Sequence, residues 1–383
     1  MERIDLPGYH LLHAARADFL RRLDRSDEAA AAYREALALE MNAADRAFLE
    51  GRLADIAVSG WWYGRGMYRD RLPQLEGGLF ITDGGIETTL IYHRGLELPA
   101  FAAFDLLKDD GGTEELRRYY APYALLAREH GVGLVLESPT WRANPDWAAE
   151  IGYSRDELDA LNRKAIALME ELRAEYAGRA PIVISGCVGP QNDGYSPETM
   201  LSAAEAEAYH STQIGTFADT TADMVTAITM TYAEEAIGVA RTAAKAGLPS
   251  AISFTLETDG RLPNGQALGE AIEQVDGETS AAPAYYMINC AHPTHFEDVL
   301  EAGAPWVARI GGLRANASTK SHAELDEATE LDEGDPADLG ARHAFLKTRL
   351  PGVNVLGGCC GTDDRHVAAI CTAWRAERSP TRT

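Results

Sequence analysis

From residue 78 onward the chain repeats one unit: a short apolar run rich in β-formers, a polar or glycine loop, then an amphipathic stretch of helical period. The apolar runs are LFIT at 79–82, GLVLE at 133–137, IVIS at 182–185, MVTAI at 224–228, AISFT at 251–255, YYMIN at 285–289, WVARI at 306–310 and VNVLG at 353–357. ELRRYYAPYALLAREHG, SRDELDALNRKAIALMEELRAEYAG and YAEEAIGVARTAAKAG are helical stretches between them. Eight βα units over about 300 residues fit an α/β (β/α)8 TIM barrel better than an open doubly wound sheet. No phosphate-cradling GxGxxG or GxxxxGK[ST] loop occurs, which weighs against a nucleotide-binding sheet. The longest interval, 311–352, holds ELDEATELDEGDPADLG, an acidic run expected to form a solvated loop and helix start.

Residues 1–57 lack that rhythm and read as helices. HLLHAARADFLRRL spans 10–23, and Ser26 with Asp27 and Glu28 supplies a cap and an acidic first turn for EAAAAYREALAL. Ala30, Tyr33 and Leu37 mark one apolar face, and AADRAFLEGRLADI gives a third helix after Asn42. The pattern is tetratricopeptide-like but covers only one and a half repeats, where stacks need about three to stand alone. Residues 58–77 change character and are expected to connect to the barrel, covering its bottom or rim. The barrel is expected over 78–376, with a tail at 377–383.

A net charge of −24 argues against a nucleic-acid or anionic-membrane partner, since both need a positive surface field. MERIDLPGYH shows no basic stretch leading into an apolar run, and no run reaches the about 20 residues of a membrane span, so the expected location is cytoplasmic. Five cysteines in such a chain point to buried thiols, metal ligands or catalytic groups, not to a disulfide frame.

Barrel enzymes carry their reactive groups at the C-terminal ends of the strands. Strand 1 ends in TDGGIET (Asp83, Gly84, Gly85, Glu87), strand 2 in ESPTWRAN (Glu137, Thr140), strand 6 in NCAH (Asn289, Cys290, His292), strand 7 near RANAS (Arg314, Asn316) and strand 8 in GGCCGT (Cys359, Cys360). Strands 6 and 8 are next-nearest neighbours around a barrel, so Cys290, Cys359 and Cys360 converge over one mouth. Three sulfur ligands with a fourth position open is a catalytic zinc pattern. Gly357, Gly358 and Gly361 give the backbone freedom to aim two consecutive thiols at one ion. Cys187 and Cys371 read as core or loop thiols. His292 and His295, spaced C-x-H-x-x-H from Cys290, read as neighbours of the site more than as ligands.

TDGGIETTL, ESPTWRAN, SGCVGP, SFTLETDGRLPNGQ, INCAHP, RANAS and GGCCGTDDRHVAAI, in that order, resemble the homocysteine S-methyltransferase family of zinc barrels over residues 78–375. The resemblance implies Zn2+ on Cys290, Cys359 and Cys360, and implies that Asp83, Gly84 and Gly85 receive the amino-acid part of homocysteine. Glu137, Thr140 and Asn316 join them as candidate substrate contacts. It implies transfer of a methyl group from a small donor to a zinc-bound thiolate, giving methionine. S-methylmethionine, S-adenosylmethionine, betaine and cobalamin or folate partners all serve as donors in such enzymes. No cobalamin or folate module follows the barrel, so a small sulfonium or ammonium donor is expected. The N-terminal YHLLHAARADFLRRL and AAAAYREALAL are similar to the C-terminal helical extension of some extracytoplasmic-function sigma factors, without their DNA- or polymerase-binding regions.

One position departs from the family pattern. A Glu-Thr pair at the end of strand 4 normally holds the homocysteine ammonium, and here Ile228-Thr229 aligns with it. Glu137 or Glu257 would have to compensate, or the acceptor is a different small thiol. The non-enzymatic alternative is a scaffold or regulatory protein that uses the helical appendage.

Overall fold

The structure, a computed structural model, describes residues 10–22, 26–39, 41, 45, 46, 49, 65–195 and 199–376. The chain divides into two compact units, 1–65 and 66–383. In the first, α1 (His10–Arg22) packs with α2 (Ser26–Leu37). Ala17 and Leu20 of α1 share one buried cluster with Ala29, Ala32, Tyr33 and Ala36 of α2. Of the expected face, Tyr33 lies in this cluster and Leu37 packs against it half-buried, and the small alanines beside them fit between two closely packed helices. Apart from Asp45, Arg46 and Leu49, the expected third helix lies outside the described residues, as do 58–64 of the connector and the tail 377–383.

The second unit is a closed barrel of eight parallel strands in sequence order. They are β1 (Phe80–Ile81), β2 (Gly133–Glu137), β3 (Ile182–Val188), β4 (Met224–Met230), β5 (Ser250–Thr255), β6 (Tyr285–Asn289), β7 (Ile310–Ala315) and β8 (Val355–Gly358). Phe80 closes the ring, pairing with Gly133 on one side and Val355 on the other. Around it stand α3 (Asp110–His130), α4 (Arg155–Glu175), α5 (Ala203–Ala218), α6 (Ala233–Lys245), α7 (Leu268–Thr279), α8 (Pro336–Leu346) and α9 (Asp364–Arg375). After β6 the helix is a single turn, Pro293–Phe296. Local signals set the helix starts: Ser154 and Ser202 accept from the N–H of Glu157 and Glu205, whose carboxylates reach back to the serine N–H. Each such cap contributes about 1 kcal/mol.

Seven strands fall where expected, and the seventh is displaced. The run expected at 306–310 is instead a 3-10 turn, Pro305–Arg309, and the strand follows it. Pro305 has no N–H for a ladder and suits a helical first position. IGGLRA conceals the strand because its two glycines interrupt the apolar run.

Strand alternation then builds the site. Val135, Val183, Met224, Ala251, Met287 and Val355 form the barrel's inner apolar cluster with Phe80 and Leu72. Leu134, Leu136, Ile184, Ile252, Ile288 and Leu356 pack in the other cluster, against the helices. The period of two places Glu137, Ser185, Thr226, Ile228, Asn289 and Arg314 inside, toward the C-terminal mouth. The opposite end is covered by the described part of the connector. Arg69 donates to the carbonyls of Ala218, Thr220 and Ala222, and the Tyr68 N–H donates to Asp223 at 2.7 Å. Among the described residues no helix is long and apolar enough to cross a membrane.

Candidate metal centre and substrate cavity

Cys290, Cys359 and Cys360 meet at the C-terminal mouth, their sulfurs all within 4.8 Å of one another. Cys290 and Cys359, with Cα atoms 5.4 Å apart, are joined as a disulfide, and Cys360 is the free thiol beside them. Reduced, three sulfurs at such spacing fit one tetrahedral ion, which at a Zn–S distance of about 2.3 Å sets them about 3.8 Å apart. Among the described residues no other group of His, Cys, Asp or Glu is arranged to hold a metal. His292 caps the Pro293–Phe296 turn through Thr294, and His295 bonds the Thr319 carbonyl, so neither joins the thiols. Burial pushes the Cys360 thiol up to about 11, so it carries its proton until a cation takes its place.

The backbone around the thiols is fixed by a set of hydrogen bonds from neighbouring residues. Cys290 adopts a left-handed φ of 50°, uncommon for a side chain with a Cβ. Its carbonyl accepts from His322 Nε2 at 2.6 Å and Asn316 Nδ2 at 3.1 Å. His322 is oriented in turn by Glu257 (3.1 Å) and by the stacked Tyr195 ring, whose hydroxyl lies 3.4 Å from Cys360 Sγ. Just past β8, the Cys359 N–H bonds the Ala315 carbonyl, and Gly361 takes a φ of 77° that lets the chain turn away after the pair. Asn289 ties the neighbouring strands together. Its Oδ1 accepts from the Thr229 N–H (3.0 Å) and Ser253 Oγ (2.6 Å), while Nδ2 donates to Thr229 Oγ1 (2.9 Å) and lies 3.9 Å from Cys359 Sγ. That clamp holds Thr229, with φ 67°, in the irregular end of β4.

The thiols open into a cavity of about 380 Å³. Asp83, Gly84, Gly85 and Glu137 line it, as does Ile228. Asp83 lies 2.7 Å from Arg314 Nη2 and accepts from Tyr119 (2.9 Å). Burial raises the Asp83 carboxyl, while Arg314 and the Tyr119 hydroxyl pull it down. Burial works against the Arg314 charge, but Asp83 and Glu137 hold that guanidinium above its ordinary range. Burial also pushes Glu137 up to about 7, against Arg314 and the hydroxyls of Ser185 and Thr226.

Two expected substrate contacts take a different position. Thr140 is fully buried behind the wall, its hydroxyl donating to the Cys187 carbonyl, and Asn316 supports the Cys290 carbonyl; neither lines the cavity. Glu257 is likewise off the wall and engaged with His322. The acidic run forms a largely exposed loop and the start of α8, as expected, and it also supplies Leu325, Asp326, Ala328, Glu330, Leu331 and Asp332 to the wall. Cys187 lines the cavity without joining the thiol cluster, and Cys371 is buried in α9. The roles of His322 and Tyr195 carry no sequence signal, since each acts across a long loop. Asn289 had one: it precedes Cys290 in the inward phase of β6.

Comparison with known proteins agrees with this architecture. The chain is 22% identical over 318 residues to homocysteine S-methyltransferase 4 of Zea mays, covering 78% of this chain and 90% of that one. It superposes on the metallated form of the homocysteine methyltransferase MmuM from Escherichia coli with a TM-score of 0.60 at 20% identity, covering 78% of this chain and 96% of that one. The oxidized form of the same enzyme gives 0.61 at 21% identity, over 77% and 95%. The sequence profile of the homocysteine S-methyltransferase family matches residues 80–374, and the chain belongs to that family of methyltransferases.

Proposed function

We propose that the protein transfers a methyl group from a small cationic donor to the thiol of homocysteine, with Cys290, Cys359 and Cys360 as ligands of one zinc ion. The observation that carries this reading is the convergence of the three sulfurs on one side of a cavity large enough for two small molecules. Zinc, when bound, supplies the Lewis acid that keeps a substrate thiol deprotonated and nucleophilic at neutral pH. The chain's own residues do the rest. Asp83, Gly84 and Gly85 from the β1 turn, with Glu137, are the groups proposed to orient the amino-acid end of the acceptor. Thr140 and Asn316 hold the wall from behind.

The donor class follows from charge. Seven carboxylates (Asp83, Glu87, Glu137, Asp193, Asp326, Glu330 and Asp332) line the cavity, against two guanidiniums, Arg142 and Arg314. Such a wall favours a sulfonium or quaternary ammonium donor over an anionic one. Trp141, whose Nε1 donates to the Ile228 carbonyl at 3.1 Å, adds aromatic surface suited to an onium group. Transfer moves the methyl carbon from donor to thiolate sulfur: the donor's bond to that carbon breaks, its electron pair returns to the donor, and the donor leaves one positive charge poorer. The wall therefore grips the substrate form more than the product. Ile228 supports a second reading, methylation of a small thiol lacking the ammonium.

The test is a matrix of thiols against donors. The proposal expects turnover with homocysteine and at least one of S-methylmethionine, S-adenosylmethionine or betaine. Full metal content with no methylation of any thiol by any onium donor contradicts it and supports a scaffold.

A further inference from the structure

An α-amino thiol brings an ammonium into this cavity, and burying a cation requires a counter-charge close by. The end of β4 offers none, since Ile228 is apolar. We propose that Glu87, in the turn after β1, takes the ammonium of the thiol substrate, a role that rests on the methyl-transfer reading above.

Elimination among the wall carboxylates leads to it. Asp83 is ion-paired with Arg314. Asp193 faces Arg142 and accepts from the Tyr195 N–H, while Asp332 is held by Ser318 and Lys320. Asp326 and Glu330 stand exposed at the rim, where water weakens any ion pair. Glu137 is sunk inside the barrel, 4% exposed and in the field of Arg314, with its Oε2 left without a hydrogen-bond partner. Glu87 is half-buried, its carboxylate hydrogen-bonds only to its own backbone N–H, and the Arg142 and Arg314 guanidiniums act on it only through their field. Burial pushes it up to about 7 despite those two charges.

Its placement relative to the thiols is fixed by the fold. Gly85, two residues before it, lies against the Cys359 carbonyl so closely that a Cβ there would stand 2.5 Å from the oxygen. Thr88, the next residue, accepts the Gly361 N–H on Oγ1 at 3.2 Å. The turn carrying Glu87 is thus stitched on both sides to the turn carrying Cys359 and Cys360. Glu87 and the three thiols line the same cavity, so a substrate whose sulfur sits at the thiols has this carboxylate on the wall around it.

The experiment compares homocysteine with 4-mercaptobutyrate, the same chain without the amine, at one fixed donor concentration, so that the donor drops out of the ratio. Wild type should favour homocysteine in kcat/KM. Glu87→Gln should cut that preference about 10- to 100-fold, the value of a hydrogen bond to a charged group, mainly through KM for homocysteine. Adding Ile228→Glu to Glu87→Gln should restore part of it. Zinc content and melting temperature verify the fold, and Glu87→Asp, which withdraws the charge by one methylene, provides the same ratio if the Gln variant does not fold. A preference unchanged within twofold while both thiols are methylated overturns the role of Glu87 alone. Methylation of 4-mercaptobutyrate as readily as homocysteine by wild type overturns it too, and leaves methyl transfer standing. No methylation of either thiol overturns the methyl-transfer reading, and Glu87's role with it.

Discussion

Arg314 and Asp83 face each other across the inside of the barrel, Nη2 to Oδ1 at 2.7 Å, on side chains 6% and 5% exposed. The same guanidinium donates to the carbonyls of Gly84 and Gly358, so one residue of β7 fixes both the β1 turn and the approach to the cysteine pair.

Removing only one partner leaves a buried charge unpaired. Arg314→Met is expected to destabilise the protein by about 3–5 kcal/mol in a urea titration. Adding Asp83→Asn should recover a substantial part of the loss, because the pair's net contribution is far smaller than the cost of breaking it. A single variant as stable as wild type contradicts the pairing.

Asn289 holds Thr229 and approaches Cys359 Sγ. Asn289→Ala should keep the barrel folded but weaken zinc affinity about 10- to 100-fold, as loss of groups that orient metal ligands does. Competition against a chelator measures it, with Asn289→Asp distinguishing the hydrogen bond from the packing.

The proposed ligand set makes oxidation and metal binding compete for the same sulfurs. With Cys290 and Cys359 bonded, only Cys360 remains as a thiol in the cluster. Protein left in air without metal should take up zinc only after reduction, and a thiol count should rise by two per chain on reduction. Metal uptake by the oxidised protein at full stoichiometry contradicts the ligand set.

Acid should expose His343. Burial lowers its folded-state value to about 4 from 6.5, so between those values the unfolded chain binds the extra proton and stability rises with pH. Below pH 6.5 this contribution is progressively lost, reaching about 3 kcal/mol at pH 4. His343→Leu should flatten that part of the profile relative to wild type. Because Glu87 and Glu137 titrate in the opposite sense up to about pH 7, the difference between the two proteins is the measurement.

Much of this was legible in the sequence, for definite reasons. The barrel reads from the βα rhythm, and the three cysteines read as one centre because closure of the barrel alone brings the ends of β6 and β8 together. Where local signals conflicted, reading failed: Pro305 and the glycines of IGGLRA moved β7, and Thr140 and Asn316 lie at the right strand ends but face the wrong way. The acidic run 324–340 reads as solvated by composition, yet Leu325 and Leu331 turn part of it onto the cavity. Long-range partners such as His322 and Tyr195 depend on how loops fold over the mouth, which no periodicity records.

The proposed centre is one zinc held by Cys290, Cys359 and Cys360 that serves thiol methylation. Its most direct test is zinc content per chain, measured by mass spectrometry on reduced wild type and on Cys290→Ala, Cys359→Ala and Cys360→Ala, with homocysteine methylation assayed on the same samples. One zinc per chain is expected in wild type, with loss of both metal and activity in each variant. Full zinc and full activity in the Cys360→Ala protein would contradict it.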